Sequence, residues 1–125
     1  SLARVEGYKK NWKKLIQLLA YTEYKEVFQA LLSRTLLLIA YYELKEIESL
    51  ESLFSSFKLY LDREKTLNKN RKTQYYNLIK FTRTLSKSPK ISRGKLEKLK
   101  EEIERVDAVV NKAWLIEKID EKINS

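Results

Sequence analysis

No cysteine, histidine or methionine occurs in the 125 residues, and there are only two glycines and one proline. Without Cys and His there are no thiol nucleophiles, disulfides, imidazole bases or common zinc ligand sets. The same lack of Cys leaves the compartment open, since such a chain suits reducing and oxidising surroundings alike. The scarcity of Gly and Pro removes the strongest helix breakers and favours long, uninterrupted helices. Long hydrophobic runs are missing too. The most apolar stretch, Thr35 to Tyr42, is bounded by Arg34 and Glu43 and falls far short of the roughly 20 residues of a spanning helix. No signal peptide opens the sequence. A chain that starts at Ser1 and contains no Met reads as a trimmed part of a longer protein.

What is present is 43% hydrophobic and 34% charged residues, a balance typical of a folded domain. At this length a single domain over residues 1–125 buries roughly two-thirds of its unfolded surface. The expected class is all-α. The stretch Val27 to Leu61 organises the rest: its first half is apolar on nearly every face between Leu36 and Tyr42, and Ile47, Leu50, Phe54, Phe57 and Leu61 then recur at helical spacing. Two helices joined by a turn at Leu44 to Glu46 form an antiparallel hairpin that other helices must cover.

Before it, Gly7 to Lys10 reads as a turn, and Asn11 as the cap of a helix carrying Trp12, Leu15, Ile16, Leu18 and Leu19. That helix is expected to end near Tyr21, with Thr22 capping the next. After the hairpin, Asp62 to Asn70 is a polar connector, and Asn68 or Asn70 can cap a basic helix within 63–88 whose buried stripe is Tyr75, Leu78, Ile79, Phe81 and Leu85. Ser86 to Gly94 is the clearest loop, with Pro89 pushing Ser88 away from helical geometry. The last segment, 95–123, has no breaker and reads as one long capping helix, with a bend near Asn111 as the alternative. This makes about six helices.

A pattern opening with Trp12 and Leu15 recurs 35 residues later as Ile47 and Leu50, close to the tetratricopeptide period of about 34. Leu37, Tyr41 and Phe54 stand where that repeat wants a large apolar residue and two aromatics. Leu38, Leu50 and Phe57 replace its usual small contact residues, and Asp62 its closing Pro. The chain therefore resembles a diverged tetratricopeptide (TPR)-like segment over residues 1–62. The stretch from Leu36 to Leu61 is similar to the C-terminal helical region of large bacterial proteins of that type. The resemblance implies stacked antiparallel helix hairpins forming the end of a right-handed α-solenoid, with the segment after Pro89 as the terminal cap. It also implies a concave partner-binding face of Leu32, Thr35, Ile39, Tyr42 and Glu43. Thr35 and Ile39 stand where some members carry basic or amide groups that clamp a terminal carboxylate, so such a peptide is an unsuitable ligand. The competing reading of these residues is plain core.

The formal net charge is +9, but it is uneven: residues 58–100 hold fourteen basic and three acidic side chains. Lys69, Lys72, Tyr76, Lys80, Arg83 and Lys87 share one helix face, and the loop adds Lys90 and Arg93. Such a face can track a phosphate backbone, with Tyr76 stacking on a base, or meet another polyanion. No nucleic-acid motif accompanies it. Glu101, Glu102 and Glu104 can instead neutralise this face within the fold. Catalysis has little to work with: the carboxylates fall on solvated helix positions, and two Gly cannot build a phosphate-cradling loop. The sequence thus points to a non-catalytic protein–protein interaction or scaffold module without cofactor or metal. Polyanion binding is the alternative, and self-association a further possibility.

Overall fold

The computed structural model describes residues 2–87 and 91–125, with side chains described from residue 11 onward. Among the described residues there are five helices: α1 (Leu2–Glu43), α2 (Ile47–Arg63), α3 (Lys69–Lys87), α4 (Arg93–Arg105) and α5 (Lys112–Ile123). No strand occurs among the described residues, so the all-α class is observed. The chain divides into two compact units, Ser1–Leu36 and Leu37–Ser125.

The first unit is α1 up to Leu36. The expected turn after Gly7 and helix end near Tyr21 do not occur, because α1 is continuous through both positions. Neither site holds a proline, and one glycine costs a helix only about 1 kcal/mol. Thr22 does not cap a new helix; its hydroxyl donates back to the Leu18 carbonyl at 2.9 Å, the usual bond of a threonine inside a helix. Six expected helices thus become five. Trp12 lies within α1 and opens nothing, whereas Ile47 does begin a helix.

The second unit holds the end of α1 and helices α2 to α5. The turn at Leu44 to Glu46 is where the sequence placed it. It closes with Lys45 N–H donating to the Tyr42 carbonyl at 3.1 Å and Glu46 N–H to the Tyr41 carbonyl at 2.9 Å. That paired pattern is a Schellman cap, and it requires a left-handed residue, here Lys45 with φ 58°. The α2 stripe buries Leu50, Leu53, Phe54, Phe57 and Leu61, and α3 buries Leu78, Ile79, Phe81, Thr82 and Leu85. The two helices pack together, with Phe57 and Tyr75 rings 5.9 Å apart. Asn68 caps α3 by accepting from Arg71 N–H at 2.8 Å. Each fully buried Phe or Leu of this core is worth about 1.5–3 kcal/mol.

The expected long C-terminal helix is two helices. Helix α4 ends at Arg105, Val106 turns extended at ψ 119°, and Asn111 is left-handed at φ 56°. The break is held from outside the segment: Val110 N–H donates to the Gln74 carbonyl at 3.2 Å, and the Asn77 amide donates to the Ala108 carbonyl at 2.8 Å. Backbone groups that one long helix would pair internally are paired with α3 instead. Asn111 is the bend position offered by the sequence, and Asn tolerates that geometry well. Helices α4 and α5 then pack on each other around Leu96, Ile103, Leu115 and Ile119. Of the expected loop, Ser86 and Lys87 belong to α3, Ser92 caps α4, and Arg93 and Gly94 belong to α4. Ser88, Pro89 and Lys90 lie outside the described residues.

Candidate functional site

Each residue of the expected concave face is placed as follows. In the first unit Leu32 is exposed, while Thr35 is buried with its hydroxyl donating to the Leu31 carbonyl at 2.8 Å. In the second unit Ile39 and Tyr42 are half-buried and Glu43 is exposed. Tyr42 and Glu43 are already engaged by α5. The Tyr42 and Trp114 rings meet edge to face, centroids 5.3 Å apart. The Trp114 indole N–H donates to Glu43 Oε1 at 3.0 Å, and Lys118 Nζ approaches the same oxygen at 2.6 Å.

Lys118 is a residue the sequence reading passed over. Its side chain is only 7% exposed, and Glu121 supplies a second carboxylate at 3.0 Å. Hydrogen bonding to Glu43 raises the Lys118 ammonium above its usual 10.5, against the opposing effect of burial. The same hydrogen bond from Lys118 holds the Glu43 carboxyl below its usual value. Burial raises the Tyr42 phenol, with Lys118 acting in the other direction. The available signal was the recurrence Trp114, Leu115, Lys118, Ile119, which puts a cation on the inward face of α5. A cleft of about 540 Å³ adjoins this cluster, lined in part by Lys45, Ile47, Leu85 and Lys122.

The expected basic face is broken up. Lys80 pairs with Glu102 at 3.6 Å and Arg83 with Glu51 at 3.4 Å, the first being the internal neutralisation considered from the sequence. The Tyr76 hydroxyl donates to Asp62 and is half-buried. Burial, and then the Asp62 hydrogen bond, push that phenol up to about 12. Lys69 and Lys87 remain exposed, Lys72 is half-buried, and Arg93 pairs with Glu97 at 3.3 Å. Lys90 lies outside the described residues.

The residues that stand out instead are on α1 before Leu37. Trp12, Leu15, Ile16, Leu18, Leu19, Tyr21, Tyr24, Phe28, Leu32 and Leu36 are all exposed, Trp12 to 57% and Ile16 to 64%. Among the described residues of this segment only Val27, Leu31 and Thr35 are buried. The sequence showed an apolar stripe here, Trp12 to Leu19. A second apolar strip follows in the second unit, a groove of about 480 Å³ lined by Leu37, Tyr41 and Leu53 with Ser49, Ser52 and Ser56.

Among the described residues no cluster of three or more acidic side chains is arranged to hold a metal ion. Nor, among these residues, is any helix long and apolar enough to cross a membrane. Comparison with protein families, curated proteins and solved structures finds no match to this chain.

Proposed function

We propose that this chain is a non-catalytic protein–protein interaction module, TPR-like in its helix pairs, that takes its partner on the exposed apolar surface of α1. The carrying observation is the set of ten large apolar side chains between Trp12 and Leu36 that stand exposed. Scattered apolar residues are normal on a protein surface, but two rows at helical spacing on one helix, Trp12, Leu15, Ile16 and Leu19, then Tyr24, Phe28, Leu32 and Leu36, have the composition of an interface core. Trp and Tyr are also the side chains that most often dominate binding energy. The binding face is thus displaced from the residues the resemblance implies: Leu32 stays in it, while Tyr42 and Glu43 serve to dock α5. The adjacent helix pairs α2–α3 and α4–α5 are compatible with a hairpin stack.

Polyanion binding along the whole α3 face is the weaker reading, because Lys80, Arg83 and Tyr76 are committed to internal partners. The test is capture from a lysate of the source organism, with and without nuclease, comparing the parent chain with Ile16→Asp/Leu19→Asp. A protein retained by the parent after nuclease and lost from the double variant supports the interaction module. Retention that the double variant leaves untouched contradicts it.

A further inference from the structure

On the cationic surface, three lysines without an ion-pair partner among the described residues line one cleft. Between the end of α3 and the start of α4 is a cleft of about 610 Å³, lined by Lys87, Lys95 and Lys98 over an apolar floor of Ile91 and Leu99. Carboxylates are close by in the chain, yet they are turned to other cations. Glu97 pairs with Arg93, Glu101 with Arg105, and Glu102, which also lines the cleft, with Lys80. None of the three cleft lysines has a carboxylate partner among the described residues.

Lys95 and Lys98 are three apart on α4, so their charges sit side by side and repel. A fold that pairs its other α4 cations, Arg93, Lys100 and Arg105, leaves these two facing a third across a concave surface. The Ser92 hydroxyl borders the same cleft and, while its oxygen accepts from Lys95 N–H, keeps its proton to donate to an anionic oxygen. Lysine is a point-charge partner for phosphate, and a chain of phosphates can be shared among several lysines at once.

We infer that this cleft is a binding site for an oligophosphate anion, held by Lys87, Lys95 and Lys98. It is independent of the α1 surface and narrows the polyanion reading from a whole helix face to Lys87 at its end together with Lys95 and Lys98 of α4. Two sources share this chemistry: free inorganic polyphosphate and the triphosphate of a nucleotide.

The test is calorimetric titration of the full chain with inorganic tripolyphosphate and, in a second arm, with ATP. Three proteins are compared: the parent, Lys87→Gln/Lys95→Gln/Lys98→Gln, and a charge-matched control, Lys65→Gln/Lys69→Gln/Lys72→Gln. All the altered side chains are solvent-accessible; circular dichroism confirms that each variant folds. The expected result is saturable 1:1 binding of tripolyphosphate by the parent, weakened at least tenfold in the cleft variant and less than threefold in the control. ATP binding of equal strength assigns the site to the triphosphate group, and weaker ATP binding assigns it to the free polyanion. Equal weakening in both variants, or no binding by the parent at millimolar tripolyphosphate, overturns the proposal.

Discussion

Glu43 at the end of α1 and Lys118 in the middle of α5 meet at 2.6 Å, although 75 positions separate them in the chain. The carboxylate also accepts from Trp114 and the ammonium also reaches Glu121, so one cluster fixes α5 against the last turn of α1. Removing Glu43 takes away the shorter of the two strong pairings of a buried cation. Because Glu43 itself is close to half exposed, its loss costs less than breaking a fully buried pair, about 1–2 kcal/mol. Glu43→Gln is therefore expected to lower the urea midpoint by that amount, and Lys118→Met to lose less, since the methionine packs where the cation did. A double-mutant cycle giving no coupling between the two positions would remove the account of how α5 is held.

The same pair sets a pH window. Glu43 is depressed in the fold, so its contribution is present above its ordinary 4.5 and is lost as pH falls through the folded value. Lys118 is raised, so its contribution is present below 10.5 and is lost as pH rises through its folded value. Stability measured by urea titration should be flat between these limits as far as this pair is concerned. The acid limb should flatten in Glu43→Gln.

Tyr76 gives a spectroscopic check within the basic helix. Its phenol is pushed from 10.0 up to about 12, so its proton is held more tightly in the fold than in the unfolded chain. The associated stability is present below pH 10 and declines as pH rises toward 12. Ultraviolet titration of the parent minus Tyr76→Phe should show one tyrosinate forming near pH 12. A difference spectrum centred near pH 10 would mean that the Asp62 hydrogen bond is not made in solution.

Thr82 is fully buried on α3, and its hydroxyl has no hydrogen-bond partner among the described residues. A buried hydroxyl left unpaired costs about 1–3 kcal/mol, whereas a methyl of the same shape has no such penalty. Thr82→Val is expected to raise stability by about 1 kcal/mol, read from the denaturant midpoint at unchanged slope. A loss of stability would show that the hydroxyl finds a partner.

Where the sequence was legible, the signal was periodic or local. The α2 and α3 stripes, the Leu44–Glu46 turn and the Asn68 cap were all placed by spacing or by residues of special geometry. Helix number was misread at Gly7 and Tyr21 because a single glycine and a threonine are weak stop signals when nothing after them breaks the helix. The α4–α5 break escaped as the first choice because it is enforced by Gln74 and Asn77 of α3, more than 30 residues away. Site residues were harder still. Lys80 and Arg83 look free on a helical wheel, and only the folded chain brings Glu102 and Glu51 to them. The burial of Lys118 and the exposure of the apolar residues on α1 were not legible, because neither burial nor its absence can be read from one helix alone.

The most direct test of the interaction module is hydrogen–deuterium exchange on the captured complex against the free chain. The account predicts slowed exchange along α1 between Leu15 and Leu36, with α3 and α4 unchanged. Protection confined to α3 and α4, with α1 exchanging as in the free chain, would contradict it.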